Sequence, residues 1–256
     1  MSDWNSEQYL KFKKERTQPS TDLVNTIKLE TPNRIIDIGC GPGNSTRALK
    51  NKYPEAEIIG ADFSPNMIEK ARIENPDMEF IAFDASKDFE KLEDKFDVVF
   101  SNACIQWVPN HKKLLADMMN ALNPNGVLAV QVPITVEQDM HRVIKNVTGA
   151  SKWKEKLYGS RVFYTLADYE YFDILSDLSN DFKIWKTIYC HRMPTHRSIL
   201  EWYSSTGLKP YFDKLNDGES VLFEKDILDE IEKQFPVQKN GEIIFRFPRL
   251  FFTAVK

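Results

Sequence analysis

The stretch Arg34-Ile35-Ile36-Asp37-Ile38-Gly39-Cys40-Gly41-Pro42-Gly43-Asn44-Ser45-Thr46 constrains the fold more than any other part of the chain. Ile35, Ile36 and Ile38 form a short β-branched apolar run, the pattern of a strand buried on both faces. Gly39, Gly41 and Gly43 then stop it at alternate positions. Only glycine lets the backbone turn through positive φ and approach a ligand at the same point. Asn44 and Ser45 suit the cap of a following helix, whose free N–H groups and positive dipole end face the same crevice. Strand, glycine turn and helix start together predict a nucleotide cradle.

Spacing narrows the ligand. Dinucleotide turns carry Gly-x-Gly-x-x-Gly, whereas this chain has Gly39-x-Gly41-x-Gly43 with Asp37 two residues ahead of the first glycine. That pattern resembles the first motif of the class I S-adenosylmethionine-dependent methyltransferases, where the turn passes under the amino-acid part of the cofactor. A ligand without a pyrophosphate has less use for a long phosphate loop. The resemblance makes Asp37, Gly39, Gly41 and Gly43 cofactor-binding candidates. An NAD(P) site and a purely structural turn are the alternatives that the glycines alone leave open.

Strand and helix patterns alternate along the next ninety residues. Ile58 to Asp62 reads as a second buried strand, and its terminal acid stands 19 residues past Gly43. That is close to the offset of about 20 expected of a carboxylate that accepts from ribose hydroxyls. The other reading of Asp62 is a helix cap before Ser64-Pro65, which opens a helix to about Glu74. Met78 to Asp84 is the third predicted strand, Phe96 to Asn102 the fourth and Gly126 to Val132 the fifth, with a helix over His111–Leu122. Five such alternations predict a parallel sheet covered on both faces, with every strand's carboxyl end on one ligand-binding rim. In the methyltransferase reading Asp84 accepts from the adenine amino group beside Ala85, and Phe63 or Met67 lies on the purine face. Asp84 as a simple turn residue before Asp88 is the alternative.

The rhythm breaks at about Pro133. Residues 133–165 mix helix-forming runs, a helix is predicted over 165–178, and Phe182 to His191 alternates as a strand. Thr195–Ser204 and Asp217–Gln234 read as helices, and Glu242–Val255 as a last strand interrupted by Pro248. The predicted fold is α/β: a doubly wound, mostly parallel, seven-stranded Rossmann-like sheet with a helical lid. Residues 1–30 form an N-terminal helical cover, 31–194 and 236–256 the cofactor-binding core, and 195–235 the lid insertion.

Bulk properties exclude other classes. A net charge of −4 over 256 residues gives no global basic field for nucleic acid or an anionic membrane. No apolar run approaches the roughly 18 residues of a membrane span, and the first residues carry no signal-peptide pattern, so the expected location is cytoplasmic. Cys40, Cys104 and Cys190 are too few and scattered for a disulfide framework or a zinc site, and are expected as reduced, buried thiols without a metal.

A narrower resemblance spans nearly the whole chain. Ser2-Asp3-Trp4-Asn5 with Tyr9, Phe12, Glu15 and Arg16 is similar to the start of bacterial trans-aconitate 2-methyltransferases. So are Asp37–Thr46, the block Asn102-Ala103-Cys104-Ile105-Gln106-Trp107-Val108-Pro109-Asn110-His111, and Tyr189-Cys190-His191-Arg192-Met193-Pro194-Thr195-His196. Trp202, Thr206-Gly207-Leu208 and Phe247-Pro248-Arg249-Leu250-Phe251 continue it, while residues 135–165 depart from the pattern. The resemblance implies methyl transfer from S-adenosylmethionine to a carboxylate of trans-aconitate, with Asn102 and Trp107 added to the cofactor-binding set. The partner is then a small anionic polycarboxylate.

That chemistry dictates which residues matter. A carboxylate with a pKa near ~4 is already a nucleophile at neutral pH, so no catalytic acid or base is expected. The task is to place anion and sulfonium in line in a dry site, where positioning supplies roughly 7–11 kcal/mol. Carboxylates that do not react need cations, for which the planar fork of arginine is suited. Arg249, Arg192, His196 and Arg16 are the candidates, with Tyr9, Trp107 and His111 lining the pocket. The bland readings are a solvated strand face for Arg249, a surface charge for Arg192 and a helix-start bond to nearby backbone for His111. Another polycarboxylic acid, or a malonyl thioester on a carrier protein, is the nearest alternative acceptor. A non-catalytic cofactor-binding protein and an NAD(P) oxidoreductase stand further off.

Overall fold

A computed structural model describes residues 13–157, 159–160, 162–204 and 207–256, with side chains from residue 17 onward. The predicted alternation is present. Helix α1 (Lys13–Thr26) leads to β1 (Arg34–Ile38), α2 (Asn44–Lys52), β2 (Glu57–Asp62), α3 (Pro65–Glu74), β3 (Glu79–Ala82) and β4 (Phe96–Asn102). Then come α4 (His111–Asn120), β5 (Leu122–Pro133), α5 (Asp139–Gly149), α6 (Lys154–Leu157) and α7 (Asp168–Leu178). The chain ends with β6 (Asp181–Met193), α8 (His196–Ser204), α9 (Lys209–Phe212), α10 (Asp217–Gln234) and β7 (Ile243–Val255).

The seven strands form one sheet in the order β3-β2-β1-β4-β5-β7-β6. The first five pair in parallel, and β7 runs antiparallel to β5 from Val127↔Val255 to Pro133↔Arg249. The order reverses between β1 and β4, which is where ligands bind in such sheets. Ile35, Ile36, Val98, Val99, Leu128 and Val130 have no exposed surface, as the apolar runs of central strands require. β3 stops at Ala82, short of the predicted Asp84, because Asp84 opens a turn whose carbonyl accepts from the amides of Lys87 and Asp88.

Two compact units divide the chain. One comprises Arg16–Pro133, Tyr164–Thr187 and Arg249–Lys256, and carries the parallel strands. The other takes in Ile134–Phe163 and Ile188–Pro248, a wider share than the 195–235 segment read from the sequence as a lid. It has an aromatic core of its own, in which Trp153, Trp202, Phe223, Phe245 and Phe247 are buried together. The stretch 134–163 joins it because Met140, Val143, Ile144 and Val147 give α5 an apolar stripe that packs there, and Trp153 donates to Asp226 of α10 at 2.7 Å.

Among the described residues no helix is long and apolar enough to cross a membrane, and no cluster of His, Cys, Asp and Glu has metal-binding geometry. Cys40 is buried and Cys104 half-buried, but Cys190 is exposed, against the expectation of three buried thiols. It lies in β6, at the sheet's edge, where alternate side chains face outward.

Candidate active site

The glycine turn is built from both sides. Ala61 of β2 accepts from the amides of Gly39 (2.7 Å) and Cys40 (3.1 Å), and Asp62 Oδ2 accepts from the amide of Gly41 at 2.9 Å. The other oxygen of Asp62 accepts from Ser64 N at 2.9 Å; the cap of α3 is Ser64 itself, whose Oγ accepts from Met67 N, so Asp62 at the end of β2 joins the glycine turn to the start of the helix without capping it. Two of the three glycines are packed. A Cβ on Gly39 would stand 2.2 Å from Cys104 Cβ, and one on Gly43 would stand 2.5 Å from Asn75 Nδ2. Gly41, with φ +54°, has no atom within 4 Å of that position. Its open side is where a ligand can lie against bare backbone.

Asp37 sits beneath the turn with no exposed surface. Its Oδ2 accepts from Ser45 Oγ (2.6 Å) and Thr46 Oγ1 (2.8 Å), while Oδ1 is buried without a hydrogen-bond partner among the described residues. Burial pushes its pKa up to about 6, against the two hydroxyls, which lower it. Asp62 is also raised by burial. Asn102, at the end of β4, likewise presents a buried Oδ1 with no partner among the described residues. An unmet buried acceptor costs about 1–3 kcal/mol. Two of them at the ends of adjacent strands suit the N–H donors of a cationic amino group.

The backbone beyond Asn102 is tightly held. Ala103 adopts φ +54°, rare for a side chain with a Cβ, and its amide donates to the carbonyl of Gln131 at 2.9 Å. Gln106 Nε2 donates to the Ala103 carbonyl at 2.7 Å, and Trp107 N donates to Cys104 O. Trp107 ends this turn 37% exposed, beyond the carboxyl end of β4. Phe63 is 60% exposed beside the β2 end, Met67 is half-buried and Ala85 is buried. Asp84 uses Oδ1 to accept from Ser86 N (3.0 Å) and Ser86 Oγ (2.6 Å), which holds its carboxyl below the usual range.

The proposed anion-binding residues separate. Arg249 is buried in β7 opposite Pro133, at the carboxyl end of β5, so the solvated-face reading does not hold. His111 is a correction. Its Nδ1 bonds Tyr171 Oη at 2.7 Å and its Nε2 bonds the Ile105 carbonyl at 2.8 Å, leaving neither ring nitrogen for a substrate. Tyr171 packs on Phe252, whose side chain leaves the face of β7 opposite to that of Arg249. Burial holds the imidazole pKa low, hence neutral. Arg192 and His196 lie in the helical unit, where Arg192 forms a two-pronged pair with Glu242 (2.9 and 2.8 Å) and His196 Nε2 bonds the Phe235 carbonyl. Tyr9 and the side chain of Arg16 lie outside the described residues.

One residue went unremarked in the sequence. Gln131, in the middle of a buried apolar strand, has no exposed surface and no hydrogen-bond partner for Oε1 or Nε2 among the described residues. The signal was present: a lone amide inside an apolar run.

Comparison with known proteins follows the same line. The family described as Methyltransferase domain matches residues 30–190. The chain is 40% identical over 255 residues to a protein of Escherichia coli named trans-aconitate 2-methyltransferase, covering 99% of this chain and 98% of that one. A protein of the same name from Enterobacter sp. strain 638 matches at the same identity and coverage. The fold resembles the YcgJ protein of Bacillus subtilis, with a TM-score of 0.62 at 15% identity over 93% of this chain and 98% of that one. It also resembles phosphoethanolamine N-methyltransferase 2 of Haemonchus contortus, solved with phosphomonomethylethanolamine and S-adenosylhomocysteine. There the TM-score is 0.58 at 18% identity, over 93% of this chain and 52% of that one.

Proposed function

The chain belongs to the trans-aconitate 2-methyltransferase family, and we infer from this that it transfers the methyl group of S-adenosylmethionine to a carboxylate of trans-aconitate. The products are the monomethyl ester and S-adenosylhomocysteine. The observation that carries the reading is likeness over 99% of the chain, both units included. S-adenosylmethionine supplies an already activated methyl group, bonded to a positive sulfur.

The residues of this chain then bind and align. Asp37 Oδ1 and Asn102 Oδ1 accept from the donor's ammonium group, and the open side of Gly41 lets its amino-acid part lie on backbone. Asp62, whose oxygens each have a lone pair to spare beyond the Gly41 and Ser64 amides, accepts from ribose hydroxyls. Asp84, Ala85, Phe63 and Met67 surround the adenine. Arg249 holds a carboxylate that does not react, and Trp107 walls the pocket. The attacking oxygen needs no base, because the acid is ionised at neutral pH. With S-adenosylmethionine bound, the carboxylate oxygen would take the methyl group and the carbon–sulfur electron pair would stay on sulfur, so the residues of this chain would have no proton to move.

The test is mass spectrometry of products after incubation with isotope-labelled S-adenosylmethionine and a panel of polycarboxylic acids. A singly methylated trans-aconitate carrying the label is expected. Labelled product from other acids of the panel, with none from trans-aconitate, would overturn the substrate assignment.

A further inference from the structure

Gln131 has a fully buried amide with both ends unmatched among the described residues. Buried side-chain amides are ordinarily paired, so a doubly open one marks a place that another molecule completes. Its position says which. In β5, Gln131 is in register with Asn102 of β4 and with Phe251 of β7. Residues in register project from the same face, as do residues two apart on one strand. Phe100 pairs with Asp37 and precedes Asn102 by two; Arg249 precedes Phe251 by two. One face of the sheet therefore carries Asp37, Asn102, Gln131 and Arg249 in succession across β1, β4, β5 and β7.

The row changes character along its length. At the β1 and β4 end are acceptors fit for a cation, at the β7 end is a cation fit for an anion, and Gln131 is the neutral group between them. A transfer from a sulfonium to a carboxylate needs this graded order. A guanidinium against the reacting carboxylate would draw off the charge that makes it nucleophilic. An amide N–H orients one oxygen and leaves the other charged.

We propose that Gln131 is the substrate-contacting residue that orients the reacting carboxylate, donating Nε2–H to the oxygen that does not attack. Arg249 takes a carboxylate elsewhere on the same acid. Acceptor choice is thereby set at position 131 as well as by the arginine. This assignment rests on the methyl-transfer reading above.

The test compares wild type with Gln131→Met, which keeps the length and removes the amide, and Gln131→Glu, which replaces the N–H donor by an acid. Thermal unfolding, S-adenosylhomocysteine affinity and steady-state rates with trans-aconitate are measured on each. Gln131→Met should unfold no lower than wild type and bind S-adenosylhomocysteine within about threefold, while kcat/KM for the acid falls about tenfold or more. Gln131→Glu should be weaker still near neutral pH and recover as the pH is lowered, because its protonated carboxyl regains a donor. Gln131→Met separates this role from a merely structural one, in which unfolding temperature and S-adenosylhomocysteine affinity would fall together with kcat/KM. Wild-type kcat/KM in Gln131→Met, or a Gln131→Glu defect indifferent to pH, would overturn the assignment while leaving the methyltransferase reading intact. No ester from wild type would overturn both.

Discussion

Cys104 occupies the space where a side chain on Gly39 would begin: its Cβ and its sulfur both stand 2.2 Å from that point. The turn after β1 and the turn after β4 are thus fitted to one another, and each fixes the other's shape.

Gly39→Ala should therefore fail in two ways at once. Its φ of +76° costs a residue with a Cβ about 1–2 kcal/mol, and the collision with Cys104 adds about 1–3 kcal/mol. Urea unfolding should show a loss within that combined range, and S-adenosylhomocysteine binding should fall with it. Gly41→Ala is the contrast: its methyl group enters open space, so stability should drop by only about 1–2 kcal/mol. Binding should drop more, because the methyl fills the ligand's side of the turn. Equal effects of the two substitutions on stability would contradict this arrangement.

Arg249→Ala should raise KM for the acid and lower kcat/KM by about tenfold to hundredfold, with cofactor affinity spared. Arg249→Lys should recover only part, since a lysine keeps the charge and loses the two-pronged geometry. Calorimetric titration with S-adenosylhomocysteine beside the kinetics checks it. A parallel loss of cofactor binding would show that the arginine serves the wrong partner.

Asp37 gives stability a definite pH slope. Its folded pKa of about 6 lies above the ordinary carboxyl value of 3.8, so the folded protein holds this proton more tightly than the unfolded chain. Its contribution is therefore most favourable in acid, declines as pH rises from about 4 to about 6 by about 3 kcal/mol, and is flat above that window. Asp37→Asn has no proton to lose there. The difference between wild-type and variant unfolding free energies, followed by denaturant titration from pH 4 to 7, should trace the decline; parallel profiles would refute it.

His111→Phe should destabilise without touching substrate affinity. The imidazole joins Tyr171 to the Ile105 carbonyl, and loss of buried partners costs about 1–3 kcal/mol. Because both bonds are internal, KM for the acid should stay within about twofold, and a cycle with Tyr171→Phe should show coupling of about 0.5 kcal/mol or more. A large KM change with unaltered stability would return His111 to the substrate pocket.

The local signals in the first 130 residues were strong enough to locate the first five strands and the rim at their carboxyl ends, because parallel strands buried on both faces write themselves as apolar runs closed by glycine or acid; their order in the sheet was not written there. Asp37 and Gly41 stood out as candidates for that reason, and Asn102 through the family resemblance. What pairs with what across the chain was not. His111 looks the same in sequence whether it faces a cavity or Tyr171, sixty residues away. Arg192 looks like an anion-binding arginine until Glu242 is seen beside it. Asp84 had an adenine reading and a turn reading, and the bonds to Ser86 show that the turn is made. Gln131 was hidden by its neighbours: one amide within Leu128–Val132 hardly alters an apolar run, yet it is the feature of that strand that packing alone does not explain.

Asp62 has one oxygen on the Gly41 amide and the other on the Ser64 amide. The carboxylate that would read the sugar is therefore also a clasp between two loops. Retargeting this scaffold to a donor with a modified ribose cannot begin by replacing that acid, since the exchange would slacken the glycine turn before any new selectivity could show. An engineer would have to supply a substitute clasp first, and alter the sugar contact second.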